Sequence, residues 1–181
     1  MNAFEQIIAG LLKQEGYWTI IDYKVDLPKA KKAELGKPSM PRPEIDVLAY
    51  KAVTNTLLWV ECKSYLDSGG VKLSYFTDPA SVNSARYKVF TWQKYREVVT
   101  EELIIQTTKC GLVRQNPKIK YCLATGRIAT KKDRLGIHEH YQKNEWILFD
   151  EELIKARLAK FAEIGYEDDV AILVAKLFTG K

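Results

Sequence analysis

The chain lacks the features of membrane and secreted proteins. No apolar run approaches the ~20 residues that a bilayer-spanning helix needs. There are only three cysteines in 181 residues, too few and too scattered for a disulfide framework. The opening stretch, MNAFEQIIAGLLKQEGY, has no basic segment and no small-residue cleavage site of a secretory signal. These absences predict a protein without membrane association, in a reducing, cytoplasmic setting.

Histidine is equally scarce, with two residues in the chain, His138 and His140. Together with Cys110 and Cys122 they match no closed Cys/His zinc spacing, so a solvated helix face is the simpler interpretation. Cys62 lies within an apolar strand pattern and is predicted to be a core thiol.

Positive charge is present in excess and is concentrated in one segment. The chain has a formal net charge of +5 and a pI near 9.0, which permits a nucleic-acid partner without establishing one. Residues 28–43 contain four of the six prolines and five basic residues against one acid. The basic residues are Lys29, Lys31, Lys32, Lys37 and Arg42. We therefore expect an exposed, irregular basic loop, which could equally be a solvated linker.

Hydrophobic periodicity predicts an α/β protein with one domain over residues 1–181. Apolar spacing favours a first helix around residues 4–12, ended by EGY at residues 15–17, and further helices near residues 85–108, 132–144, 150–162 and 168–178. Strand-like segments cover residues 18–27, 44–50, 56–64, 119–124 and 145–149. Residues 66–84 have the composition of a long loop. The order predicts a mixed central β-sheet flanked by helices, with a core over about residues 1–149 and C-terminal helices over 150–181.

The hairpin formed by the second and third strands carries an unusual set of charges. Side chains alternate between faces, so Glu61 and Lys63 share one face of their strand. If the loop is residues 52–55, opposed residue numbers sum to 107, and Asp46 lies across from Glu61. A slip of one residue would place the two acids on opposite faces.

Two carboxylates this close repel each other unless a cation intervenes. Mg²⁺ prefers such hard oxygen ligands, and Lys63 would be free to orient water or to offset charge on a phosphate. Glu5 lies at the edge of the apolar arc of the first helix and could join this group, although an acid in a first turn also suits the helix dipole.

The sequence PEID at residues 43–46, followed by ECK at residues 61–63, resembles the PD-(D/E)xK nuclease superfamily. The preceding FEQIIAGLLKQEGY is similar to the first helix of that superfamily, and the order of elements over residues 1–149 also fits. One departure is that Ile45, not proline, directly precedes Asp46. The resemblance implies a restriction-endonuclease-like fold.

By this resemblance, Asp46 and Glu61 would bind Mg²⁺, with Mn²⁺ as a substitute and the Cys62 carbonyl as a further ligand. Lys63 would be the catalytic lysine and Glu5 an accessory acid. The resemblance also implies that Gln93, in the long helix, lies near the metal.

Nucleic-acid contacts are expected at other basic residues. The basic loop could clamp the backbone through Lys29, Lys31, Lys32 and Arg42, and Arg127 and Lys131 follow a strand end where a site loop would lie. The aromatic residues at positions 87, 90, 92 and 95 have helical spacing, which favours core packing over base stacking.

These observations favour a Mg²⁺-dependent nuclease that hydrolyses phosphodiester bonds, with DNA as the expected substrate. A homodimer would supply a second site for a second strand, but no interface is evident in the sequence. One alternative is a catalytically silent nucleic-acid-binding or assembly module on the same fold. Another is an unrelated α/β protein in which the acids form surface pairs, including a cross-strand pair of Glu44 with Lys63.

Overall fold

A five-stranded mixed sheet runs through the centre of the protein, and the computed structural model describes residues 2–163 and 169–179 around it. The strands are β1 (Trp18–Lys24), β2 (Glu44–Lys51), β3 (Thr56–Lys63), β4 (Lys118–Thr125) and β5 (Ile147–Phe149), which lie in that order. β1, β2 and β3 form an antiparallel meander, while β4 and β5 continue the sheet in parallel. The predicted α/β class with a mixed, helix-flanked sheet is confirmed.

Helices cover both faces of the sheet. They are α1 (Ala3–Gln14), α2 (Lys29–Glu34), α3 (Ser74–Thr77), α4 (Lys88–Thr91), α5 (Gln93–Lys109), α6 (Lys131–Lys143), α7 (Glu151–Phe161) and α8 (Val170–Thr179). None of the described helices has both the length and the apolar character that a membrane span requires. The predicted cap of α7 is confirmed, because the Asp150 carboxylate accepts a hydrogen bond from the Leu153 N–H at 2.9 Å.

The central strand β3 is buried on both faces, and this packing fixes the position of the charged residues at its end. Leu58, Val60 and Cys62 pack into a core shared with α1, α7 and α8. Leu57 and Trp59 face the opposite core, which α5 and α6 cover. Burying each such side chain contributes about 1.5–3 kcal/mol, so the strand is held firmly and its charged end has little freedom.

Two predicted loops contain more structure than expected. Residues 28–43 include the short helix α2, and Leu35 and Pro43 are buried, so the segment is not wholly an exposed irregular loop. Residues 66–84 include α3 and a bridge from Val71 to Ile128, and Phe76 packs into the core. In both segments buried apolar side chains override a loop-like composition. The predicted start of the last helix, Asp168, lies outside the described residues.

The predicted long helix over residues 85–108 is interrupted at Trp92. A 3₁₀ turn (Ser84–Tyr87) and the single-turn helix α4 precede α5, and Trp92 between them adopts extended backbone angles of −123° and 92°. The helical periodicity continues across the interruption, which is why the sequence predicted one element. The break changes the direction in which the Trp92 side chain is presented.

Gly126 permits the close approach of β4 to the end of β3. Its N–H donates a hydrogen bond to the Lys63 carbonyl at 3.0 Å, and a Cβ placed on it would lie 2.3 Å from the Ser64 carbonyl oxygen. That oxygen belongs to the backbone and has no rotamer by which to move away.

We expect Gly126→Ala to lower the free energy of unfolding by about 1–3 kcal/mol, because backbone must shift to admit the methyl group. Gly69→Ala is the matched control, since its added Cβ would meet nothing within 4 Å, and it should stay within about 0.5 kcal/mol of the wild type. Urea denaturation followed by circular dichroism measures both. Equal stability of the two variants would contradict this account.

Candidate active site

The candidate site lies where β2 and β3 separate at the end of their ladder. Lys51 pairs with Thr56 and Val47 pairs with Val60, so the predicted register is confirmed over that stretch, but the predicted pair of Asp46 with Glu61 is not part of the ladder. Val47–Val60 is the last pair, and Asp46 comes next on β2. Its Oδ2 accepts a hydrogen bond from the Cys62 N–H at 2.6 Å, so the side chain bridges the gap where the strands diverge.

Lys63 lies between the two predicted carboxylates. Its Nζ is 2.5 Å from Glu61 Oε1 and 3.9 Å from Asp46 Oδ2, and all three side chains are largely buried. The alternative pair of Lys63 with Glu44 does not form, because Glu44 lies 3.4 Å from Lys24 Nζ instead. The alternative with Asp46 and Glu61 on opposite faces is also wrong, since one ammonium group reaches both.

Burial sets the electrostatics of this cluster. It raises the pKa of Glu61 to about 7 even though Lys63 favours the charged form. It also raises the pKa of Asp46, against the opposing effects of Lys63 and of the Cys62 N–H. Burial by itself would lower the pKa of Lys63, but the charges of Glu61 and Asp46 outweigh it and the pKa is raised. Lys63 therefore carries a proton at neutral pH.

Glu5 contributes charge to the same region from α1. Its side chain is buried, and its Oε2 accepts a hydrogen bond from the Asn2 N–H at 3.1 Å in a capping box. Burial raises the pKa of Glu5, and the nearby charges of Asp46 and Asp22 raise it further. The residue thus caps its helix, its charge interacts with that of Asp46, and its predicted role as an accessory acid remains a prediction.

Asp22 is an acid near the site that the sequence analysis missed. Its charge raises the pKa of both Glu5 and Asp46, so it lies close to these carboxylates. It interrupts β1 with a left-handed φ of 57°, and the β1–β2 register places it across from Asp46. An aspartate inside an apolar strand was the available signal, since aspartate is uncommon in strands and tolerates that conformation.

Glu61 opens onto a large cleft of about 1050 Å³, here called the Glu61 cleft. Residues 36–44 form one wall, and segments between residues 76 and 92 form the other. Glu61 and Trp59 of β3 line it between the walls, together with Tyr95 of α5. Of Asp46, Glu61 and Lys63, Glu61 is the residue that lines the cleft, so solvent-sized groups reach the cluster at the Glu61 carboxylate.

The ring of Tyr87, the last residue of the 3₁₀ turn before α4, lies beside Lys63. Its Nζ lies 5.9 Å from the centroid of the Tyr87 ring, a cation–π distance, and Tyr87 is fully buried. The Tyr87 hydroxyl lies 3.3 Å from the Tyr65 hydroxyl. The lysine thus has two carboxylates and one aromatic face as neighbours, which restricts its position.

The predicted nucleic-acid contacts fall mostly outside this cleft. Among them, Arg42 lines it and lies 3.2 Å from Asp26. Lys29, Lys31 and Lys32 lie on α2, where Lys31 pairs with Glu101 at 2.6 Å. Gln93, the first residue of α5, donates to Glu97 Oε1 at 2.8 Å and does not line the cleft. Arg127 and Lys131 are exposed and also lie outside its lining.

The other sequence candidates behave as structural residues. Cys62 is a buried core thiol, as predicted, and burial raises its pKa well above the usual range. His138 lies 2.9 Å from the Asp150 carboxylate, which also binds Arg134 at 2.8 Å. This network surrounds the cap of α7 and gives no support to a zinc site.

The donor chemistry of the cluster suits a hard divalent cation, although the ligands are not gathered around one point. Within residues 2–163 and 169–179, no three His, Cys, Asp or Glu side chains form a group that could hold a metal ion. Mg²⁺, however, often uses only one or two carboxylates together with water. Burial raises the pKa of Glu5, Asp46 and Glu61 while one lysine offsets their charge, so the pocket favours additional positive charge.

Comparisons with known proteins add no relative. No protein-family model matches the chain, and no curated protein or solved structure matches it either. The restriction-endonuclease-like fold and the superfamily resemblance therefore remain predictions that rest on the motif and its geometry.

The raised pKa of Glu61 predicts a pH-dependent stability in the absence of divalent cations. The folded state holds a proton that the unfolded state releases between about pH 4.5 and pH 7, so this residue makes stability fall as the pH rises through that window. The free energy of unfolding of Glu61→Gln, taken relative to that of the wild type, should therefore increase by up to ~3 kcal/mol as the pH rises across this window. Urea denaturation in EDTA measures the difference. Parallel pH profiles of the two proteins would refute the assignment.

Proposed function

We propose that this protein is a divalent-cation-dependent nuclease that hydrolyses phosphodiester bonds, with DNA as the expected substrate. The observation that supports it is the meeting of Asp46, Glu61 and Lys63 beside a cleft that opens to solvent. A carboxylate pair with one protonated lysine, reachable by a polymer, suits attack on a phosphate. A surface ion pair would need neither the burial nor the cleft.

The three side chains have distinct roles in this proposal. Lys63 remains protonated, so its ammonium group offsets negative charge that develops on the phosphate and does not remove a proton. Asp46 is fixed by the Cys62 N–H and directs its carboxylate toward the gap between the strands. Glu61 lines the cleft and is the acid that a bound phosphate group would approach first.

Asp46 and Glu61 would hold the cation, Mg²⁺ or Mn²⁺, with the Cys62 carbonyl as the further ligand that the resemblance implies. When bound, the cation would polarise the phosphate and lower the pKa of an attacking water. Glu5 and Asp22 would contribute negative charge around it, which favours retention of the cation. The homodimer expected from the sequence remains a prediction.

Cleavage should require both a divalent cation and the cluster. We expect the wild type to cut DNA in Mg²⁺ and to stop in EDTA. Lys63→Ala and Asp46→Asn should each lose about 10²–10³-fold in rate, because the first removes the ammonium that offsets charge on the phosphate and the second removes a carboxylate that would hold the cation. Time courses on labelled single-stranded, duplex, flap and junction DNA, and on RNA, measure this.

Two exposed residues supply matched controls for these variants. Lys143→Ala and Asp67→Asn change the same residue types outside the cleft and should cleave like the wild type. Wild-type rates in both Lys63→Ala and Asp46→Asn would overturn the residue assignment. Salt-sensitive DNA binding without cleavage over a panel of metals would instead favour the catalytically silent binding module.

Cation binding should also be measurable without any substrate. A ligand at about 100 times its Kd stabilises a folded protein by ~2.7 kcal/mol, which corresponds to about 5–10 °C in Tm for a chain of this size. We expect Mg²⁺ to raise the Tm of the wild type by this order relative to EDTA at matched ionic strength. Asp46→Asn should lose the shift and Asp67→Asn should keep it. An equal shift in Asp46→Asn would contradict this site.

A further inference from the structure

The wall of the Glu61 cleft that carries Trp92 is aromatic as well as basic. The Trp92 ring stacks on Tyr95 with centroids 5.6 Å apart and an interplanar angle of 24°. Tyr95 in turn packs edge-on against Trp59 at 6.5 Å. All three rings line the cleft, but Tyr95 and Trp59 are buried, whereas Trp92 is half-buried. Of these three rings, Trp92 therefore has the most surface open to a ligand.

The helix break is what gives Trp92 this position. A continuous helix over residues 85–108 would place residue 92 on the same face as the buried Tyr95, three residues further on, where core packing was predicted. The extended conformation at Trp92 separates α4 from α5 and leaves its ring at the cleft. Interrupting a helix forfeits backbone hydrogen bonds, and a ligand-facing ring is a physical reason to keep the interruption.

Four cations line the cleft together with this ring. Lys37 and Arg42 belong to one wall, and Arg86 and Lys88 belong to the other. Lys88 Nζ also lies 6.0 Å from the centroid of the Tyr95 ring. Positive groups flanking a stackable ring are the arrangement by which proteins hold unpaired nucleotides, through phosphates and base faces together.

The size of the cleft agrees with a short stretch of such a strand. Pockets that bind one small molecule measure roughly 300–1,000 Å³. The cleft, at about 1050 Å³, is at the upper end of that range and has room for at least one unstacked nucleotide. In an intact duplex the base faces are stacked on one another and cannot reach Trp92, so the ring would contribute nothing to duplex binding.

We propose that the Glu61 cleft binds single-stranded nucleic acid, with one base stacked on Trp92 and the backbone held between Lys37 and Arg86. This proposal names an unpaired strand as the substrate of the proposed nuclease. Its statement about cleavage rests on that proposed function. One site would then suffice for one strand, without a partner subunit. Binding itself requires no cleavage and can be tested separately.

The test is equilibrium binding of fluorescein-labelled oligothymidylate, oligouridylate and a blunt DNA duplex in EDTA at fixed salt, followed by anisotropy. We expect single strands to bind more tightly than duplex. Trp92→Ala should weaken single-strand binding at least about fivefold and leave duplex binding unchanged, while Trp92→Phe keeps most of the affinity. The DNA and RNA arms show whether the 2′-hydroxyl matters.

The chain provides matched controls for the substitutions of Trp92 and Lys37. Trp18 is also half-buried and packs on a tyrosine, Tyr50, at 5.8 Å, but it lies outside the cleft, so Trp18→Ala should bind like the wild type. Lys37→Glu, at an exposed position that does not threaten folding, should weaken binding and reduce its salt dependence, and Lys143→Glu should not.

The binding experiment and the cleavage assay together distinguish the single-strand proposal from the nuclease proposal. Unchanged affinity in Trp92→Ala, tighter binding of duplex, or no binding by any oligonucleotide would overturn the single-strand proposal. Trp92-dependent single-strand binding with no cleavage in any metal would support it while removing the proposed nuclease function. Metal-dependent cleavage confined to duplex would do the reverse.

Discussion

The hydrogen bond from the Cys62 N–H to the Asp46 carboxylate is the contact on which the candidate site depends. β3 is buried on both faces, so an N–H at its end that lost its neighbour strand would be left without water, at a cost of about 1–3 kcal/mol. The ladder to β2 ends at Val47–Val60, and the Asp46 side chain replaces the missing backbone acceptor. Asp46 therefore serves the fold and the site with the same group.

Charge balance is the second constraint. Glu5, Asp22, Asp46 and Glu61 influence one another, and Lys63 is the cation paired with two of them. Buried carboxylates without enough positive charge nearby favour the binding of protons or cations. The pKa values of three of these acids are raised for this reason. The fold tolerates the cost because α1 and β3 are anchored by apolar cores on both sides of the sheet. Such local conflict between burial and charge is typical of functional sites.

The sequence predicted the parts of this arrangement that local rules control. A four-residue turn and two-residue alternation were enough to align Lys51 with Thr56, and hence to bring Asp46 beside Glu61. The break at Trp92 was not predictable in this way, because its neighbours keep helical spacing and only tertiary packing reveals the extended residue. Asp22 was missed although an aspartate within an apolar strand is an unusual position, because the pattern does not show that the neighbouring strand places it across from Asp46. The cleft joins segments distant in sequence, so no local rule could delimit it.

The protonated state of Lys63 limits how the site can work. An ammonium held by Glu61 at 2.5 Å and by Asp46 at 3.9 Å cannot accept a proton near neutral pH. In the proposed reaction, a proton lost by the attacking water would therefore go to a carboxylate, to the phosphate itself or to bulk solvent. Among the acids, Glu61 has a pKa of about 7 and lines the cleft, whereas Glu5 is buried with one oxygen in its helix cap. The lysine of the proposed site would consequently act through charge alone, and Glu61 would be the carboxylate of the cluster that a substrate meets.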